Sequence, residues 1–82
     1  MGLAERERQM AANGVGCLGK AKSDEPVFIL RAQDVFASRV VRIWALLVEH
    51  VHGSPSKVKE ARALADAMDE WHERGNAQKV PD

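Results

Sequence analysis

Histidine and acidic side chains are the groups in this chain that could bind a metal ion. His50 and His52 lie two positions apart, and His72 with Glu73 could add further ligands. On a helix, however, side chains two positions apart point in different directions, and a zinc site needs three or four convergent ligands. The spacing therefore favours histidines near helix C-termini, where the helix dipole favours positive charge. We expect no metal site and no other cofactor.

Cys17 and its glycine-rich surroundings could indicate a nucleophile or a phosphate-binding loop. The glycines before Lys20, however, do not follow the G-x-x-x-x-G-K-[ST] spacing that cradles phosphate. No base can be assigned to Cys17 from the sequence, so no catalytic residue is predicted and we expect a protein that is not an enzyme. A lone cysteine also excludes an intramolecular disulfide. We interpret residues 13–26 as a flexible connector with a reduced thiol and a short extended piece at 15–18.

Polar side chains gather at residues 31–34, where a predicted strand meets a predicted helix. Free N–H groups at a helix N-terminus favour anions, so this junction could bind a ligand. Two interpretations stay open. In one, Asp34 caps the helix and the other side chains are solvated or paired. In the other, two copies of the chain hold a small phosphorylated, nucleotide-like ligand through Arg31, Gln33, Arg39 and Arg42.

Length and composition limit the class of protein. The 82 residues carry 12 Lys and Arg against 12 Asp and Glu, so no global positive field attracts nucleic acid. The proportions of 45% apolar and 29% charged residues are those of one small folded domain. The longest apolar run, 43–48, is far too short to span a membrane, and the N-terminus lacks the apolar stretch of a signal peptide. We expect a cytoplasmic protein that does not associate with membranes.

Apolar periodicity predicts a helical hairpin over about 35–52 and 55–74. Asp34, or Ser38 as a later alternative, is the expected N-cap of the first helix. Ser54 and Pro55 begin the second helix, and Gly75 ends it. The expected core face of the first helix consists of Phe36, Val40, Ile43, Trp44, Leu47 and Val51, widened by Ala37, Val41 and Val48. The core face of the second consists of Val58, Ala61, Leu64, Ala65, Met68 and Trp71. Trp44 lies in the middle of its face, so its truncation to alanine is expected to cost about 3–5 kcal/mol.

The expected fold is mainly α, a small helical domain. Residues 1–26 form a loosely attached N-terminal helix and the connector, 27–75 form an extended segment plus the hairpin, and 76–82 form a loose tail. Val27 to Leu30 has the β-propensity of a strand. Such a strand would pair within the chain, with a second copy or with a target. We expect a homodimer, with the second helix or this strand at the interface, because the aromatic and apolar side chains exceed what one hairpin covers.

The second helix has an unusual order of charges. Its basic residues precede its acidic ones, whereas the helix dipole favours the reverse order. A basic surface on a partner could explain the acidic end, although a solvated face is the commoner explanation of such a run. The predicted partner-binding residues are Asp66, Asp69, Glu70 and Glu73, together with Phe28 and Leu30.

Residues 25–34, with the sequence EPVFILRAQD, resemble a segment in short phage and bacterial proteins of unassigned function. The resemblance extends through 41–45, 59–68, Trp71 and 79–82, and so covers roughly the last 60 residues. It assigns no catalytic residues. It implies a mobile-element setting in a bacterial host, where small helical proteins bind and block host machinery. We therefore expect a regulatory protein that binds a host protein, for example an inhibitor of a defence complex such as a CRISPR effector.

Overall fold

The computed structural model describes residues 1–80 and is mainly helical, as the sequence predicts. Its helices are α1 (Ala4–Ala12), α2 (Gly16–Lys20), α3 (Ala37–His50) and α4 (Pro55–Glu73). They form two pairs, because α1 packs on α2 and α3 packs on α4. Within the described residues, no helix of one pair contacts a helix of the other. The chain thus consists of a small N-terminal pair and a larger hairpin.

Local sequence signals explain the position of α4. The Ser54 hydroxyl accepts a hydrogen bond from the Lys57 N–H at 3.4 Å, and Pro55 occupies the first turn. Gly75 follows the helix with φ +100°, a left-handed conformation that suits glycine. The predicted core face is also confirmed. Its buried members are Val58, Ala61, Ala65 and Met68, and its half-buried members are Leu64 and Trp71.

The expected core face of α3 was only partly right: Ala37, Val41 and Val48 are buried or half-buried, but its six larger members are at least 40% exposed. The residues of α3 that pack towards α4 are small or β-branched: Ala37, Ser38 and Ala45 are buried, and Val41 and Val48 are half-buried. Ala45, Val41 and Val48 pack with Val58 and Ala61 of α4, and the Ser38 hydroxyl hydrogen-bonds Asp69 of the same helix. Small side chains on both helices allow the two backbones to approach closely, whereas the larger row would hold them apart. The larger row of α3 is therefore left on the surface.

The N-terminal pair differs from the flexible connector expected at 13–26. Residues 16–20 form α2, so the expected extended piece at 15–18 is absent from the structure. α2 lies so close to α1 that a Cβ on Gly19 would come within 3.2 Å of Ala11 Cα and within 2.8 Å of the Gly14 carbonyl carbon in the connecting turn. No residue of either helix is buried. The pair has no buried core of its own, in keeping with a loosely attached N-terminal helix.

Residues 27–30 form no strand, and among the described residues their backbone groups have no hydrogen-bond partner in the fold. The prediction of a strand was therefore wrong. After this segment Asp34 forms a turn, in which its Oδ1 accepts a 2.7 Å hydrogen bond from the Phe36 N–H. The helix then begins at Ala37, with Phe36 and not Asp34 in the N-cap position.

Residues 76–79 return to the start of α3, in contrast to the loose tail expected. The Val35 N–H donates to the Lys79 carbonyl at 3.0 Å, and the Lys79 N–H donates to the Gln33 carbonyl at 2.9 Å. These bonds form an isolated parallel bridge. The Asn76 side chain donates to the Trp71 carbonyl at 2.7 Å. Pro81 and Asp82 lie outside the described residues.

Candidate protein-binding surfaces

Val27, Phe28 and Ile29 expose three consecutive large apolar side chains. Their exposed fractions are 54%, 83% and 68%. The next residue, Leu30, is half-buried and so connects this segment to the fold. Of the two predicted contact residues here, Phe28 is therefore accessible and Leu30 is only partly so. A short stretch that presents both apolar side chains and free backbone groups can bind a protein in the manner of an added strand.

A second apolar surface lies on α3. We call it the α3 apolar face, and its members are Phe36, Val40, Ile43, Trp44, Leu47 and Val51. Each of these side chains is 40–72% exposed. At 100° per residue, the centre of this face lies about 120° around the helix from the buried row. Sequence analysis identified these residues as one face but assigned them to the core.

Ion pairs occupy the opposite flank of the hairpin. The Arg42 side chain donates hydrogen bonds to Asp69 at 2.7 Å and to Asp66 at 2.9 Å. Nearer the turn of the hairpin, the Arg62 guanidinium donates hydrogen bonds to both carboxylate oxygens of Glu49, at 2.9 and 3.2 Å. By helical spacing, Leu64 and Trp71 lie on the other side of α4 from these groups and so extend the apolar side. The two ion pairs between α3 and α4 therefore lie on one side of the hairpin, and the apolar residues lie on the other, beside the exposed Lys57–Glu60 pair of α4.

The ion pairs change the proton affinities of their members. The Ser38 hydroxyl and then the Arg42 guanidinium hydrogen-bond the Asp69 carboxylate, which lowers the pKa of that carboxyl group from its usual value. The Arg62 guanidinium lowers the pKa of Glu49 in the same way. In return, the hydrogen bonds that Arg42 donates to Asp69 and Asp66 raise the pKa of Arg42. The ion pairs between α3 and α4 thus favour the ionised forms of these carboxyl and guanidinium groups.

The predicted acidic contact surface is thus divided. Asp66 and Asp69 are paired with Arg42, which largely neutralises them as an attraction for a basic partner. Glu70 and Glu73 are exposed and enter no hydrogen bond or ion pair with the described residues. Only these two carboxylates are available to attract a basic partner, whereas the sequence suggests four.

The alternative phosphate-binding set is not assembled as one site. Arg39 and Arg42 are neighbours on α3, but the Arg42 side chain is already bound by two carboxylates. Gln33 contributes its backbone carbonyl to the tail bridge, and Arg31 is exposed. An open cleft of about 620 Å³ lies at the turn of the hairpin, and none of these four residues is among those that line it. Its lining contains basic Lys59 and Arg62 together with acidic Glu49 and Asp66, so the charges balance and leave little net attraction for an anion.

Other chemistry-bearing residues are dispersed. Within residues 1–80, no group of three or more His, Cys, Asp or Glu side chains is arranged to hold a metal ion. Cys17 is exposed on α2, and the Nδ1 of His72 donates to the Asn76 carbonyl at 2.7 Å. In the described part of the chain, no helix is both long and apolar enough to cross a bilayer.

Comparisons with known protein families, with curated proteins and with solved structures found no match to this chain. The surfaces described above, together with the residues that form them, are therefore the basis on which its function is inferred.

Proposed function

We propose that the chain is a non-enzymatic protein-binding protein whose target contact is the segment Val27–Phe28–Ile29. The observation that carries the proposal is the exposure of these three consecutive apolar side chains on a backbone stretch without hydrogen-bond partners among the described residues. Exposed apolar side chains are unfavourable in water, and backbone groups without partners in the fold can pair with another chain. Burial of these side chains and pairing of this backbone both favour binding of the segment to another protein.

The segment suits addition to the edge of a target's β-sheet. Its residues have high β-propensity, and in an extended conformation Val27 and Ile29 would point to one side while Phe28 points to the other. Main-chain hydrogen bonds would then supply affinity, and the pockets that receive these side chains would supply specificity. The segment is followed by the half-buried Leu30 and by the turn at Asp34, directly before α3. We further propose that the target is a host complex and that binding blocks it, in line with the expectation from residues 25–34.

A matched pair of variants tests this proposal. Phe28→Asp removes the largest exposed side chain of the segment. Leu3→Asp removes an equally exposed apolar side chain, at 80% against 83%, from the N-terminal pair. In affinity purification from a bacterial host, we expect a target to bind the wild type and Leu3→Asp and to be lost with Phe28→Asp. Circular dichroism checks that both variants are folded. A folded Phe28→Asp variant that retains every partner would overturn the proposal.

A third variant tests strand addition itself. Ile29→Pro keeps an apolar side chain but removes one backbone N–H, so it cannot complete a ladder of hydrogen bonds. If the target pairs with this backbone, Ile29→Pro weakens binding about as much as Phe28→Asp. If only side chains are recognised, Ile29→Pro resembles the wild type, and the mode of binding is insertion of Phe28 into a pocket.

A further inference from the structure

We propose that a second copy of the chain covers the α3 apolar face, so that two hairpins form a four-helix homodimer. This interface is separate from the target contact at 27–29. It also differs from the interfaces that the sequence favours, which use the second helix or residues 27–30. Three observations carry the inference: the area of the face, the small core of the single chain, and the arrangement of apolar and charged residues.

The area of the face supplies more than half of what a stable dimer needs. A fully exposed apolar side chain presents on the order of 100–200 Å². With exposures of 40–72%, the six members together present on the order of 500 Å². This is in the upper range of the largest apolar patch on a monomeric protein. Leu64, Trp71 and the surrounding polar rim bring it towards the roughly 800 Å² per partner of a specific interface.

The core of the single chain is too small for the apolar residues that it contains. The buried side chains of the hairpin are alanines, one serine, Val58 and Met68. Within the described residues, no large side chain is completely buried, while both phenylalanines and Trp44 are at least 44% exposed. Small domains without disulfides or metals commonly gain the missing core by association. A second copy can cover the exposed apolar side chains wherever the chain is present. If a different protein covered them, they would be exposed whenever that protein was absent.

The face is compatible with pairing to itself. In a two-fold arrangement with the two α3 helices antiparallel, Ile43 and Trp44 of both copies meet at the axis, and Phe36 meets Val51 of the second copy. No charged side chain interrupts the six residues of the face, and the ion pairs that join α3 to α4 lie on the opposite flank. The Lys57–Glu60 pair of α4 lies beside Leu64 and contributes to the polar rim. The chain also has a formal net charge of zero, so no long-range repulsion opposes the approach of two copies.

Two adjacent leucines provide a matched test. Leu47 and Leu46 are 60% and 59% exposed, but only Leu47 belongs to the α3 apolar face. We expect light scattering to find a species of about 18 kDa, twice the 9.1 kDa of one chain, for the wild type and for Leu46→Glu. For Leu47→Glu we expect at least a tenfold higher dimer dissociation constant. A wild-type species of 9.1 kDa at 100 µM, or equal behaviour of the two variants, would overturn the inference.

A second measurement remains informative if Leu47→Glu does not fold. Unfolding of a homodimer depends on protein concentration, so the wild-type melting temperature should rise between 1 and 100 µM. In a Cys17→Ser background, Ile43→Cys should oxidise to a covalent dimer, whereas Leu46→Cys should not. A melting temperature that does not depend on concentration, or equal cross-linking of both variants, argues against this interface. Phe28→Asp should leave the dimer intact. The proposal of a target contact at 27–29 and the proposal of a dimer are therefore tested independently.

Discussion

Arg42 on α3 and Asp69 on α4 are joined by a hydrogen bond of 2.7 Å between residues 27 positions apart in the chain. The same amino group of Arg42 also contacts Asp66 one turn earlier on α4. This contact connects two residues to which sequence analysis assigned different roles, Arg42 to a phosphate ligand and Asp69 to a basic partner. In the structure they neutralise each other and tie the charged side of the hairpin together.

We expect Arg42→Gln to lower the free energy of unfolding by roughly 0.5–1 kcal/mol, because both partners are largely exposed to solvent. Arg39→Gln is a suitable control, since it removes an exposed neighbouring charge on the same helix. The control should change stability by less than about 0.5 kcal/mol. Urea unfolding at fixed protein concentration measures both. The difference between the variants should shrink in high salt, and equal effects would show that the ion pair does not stabilise the hairpin.

Stability should fall at acidic pH. The pKa of Asp69 is lowered in the folded state by Ser38 and Arg42, so the unfolded chain binds more protons as pH decreases. The stabilisation is complete above the usual aspartate pKa of about 3.9, decreases as pH falls through that value, and is lost below the folded-state pKa. Urea unfolding between pH 6 and pH 2.5 measures this loss. Asp69→Asn should give a shallower dependence, and parallel curves would contradict the role of Asp69.

The close contact of α3 with α4 should not tolerate a larger side chain. Ala45 is completely buried against Val58 and Ala61. Ala45→Leu should therefore destabilise the fold by about 1–3 kcal/mol or more, because the helices must separate. Leu46→Ala, at the next position and largely exposed, should change stability by less than about 0.5 kcal/mol. Thermal unfolding of the two variants compares them, and a neutral Ala45→Leu would show that the helix spacing is adaptable.

The turn between the helices has two unlike positions. A Cβ on Gly53 would lie 2.5 Å from Val48 Cγ1 and 3.0 Å from the Val48 carbonyl oxygen, so Gly53→Ala should destabilise the hairpin by roughly 1–3 kcal/mol. His52 has φ +56°, a conformation that glycine adopts without strain. His52→Gly should therefore be neutral or stabilising by up to about 1 kcal/mol. Unfolding midpoints measure both changes, and a destabilising His52→Gly would indicate that the imidazole makes a needed contact.

Many residues of the candidate binding surfaces could be identified from the sequence. Which of them lie together in the folded protein could not. Phe28 was identified because an apolar β-prone run is visible in the chain itself. The pairing of Arg42 with Asp66 and Asp69, by contrast, depends on the angle at which the two helices pack. The same holds for the return of Lys79 to Gln33 and Val35, which joins positions far apart in sequence.

The chain by itself determined the hairpin, its turn and the packing face of α4, because caps, proline, glycine and a single apolar stripe are local signals. It did not determine which side of α3 faces α4, since apolar residues occupy both sides of that helix. Hydropathy favours burial of the larger row with Trp44. Close packing favours the smaller row with Ala45, because its short side chains let the backbones approach. Only the tertiary structure decided between these two, and by doing so it left the larger row exposed.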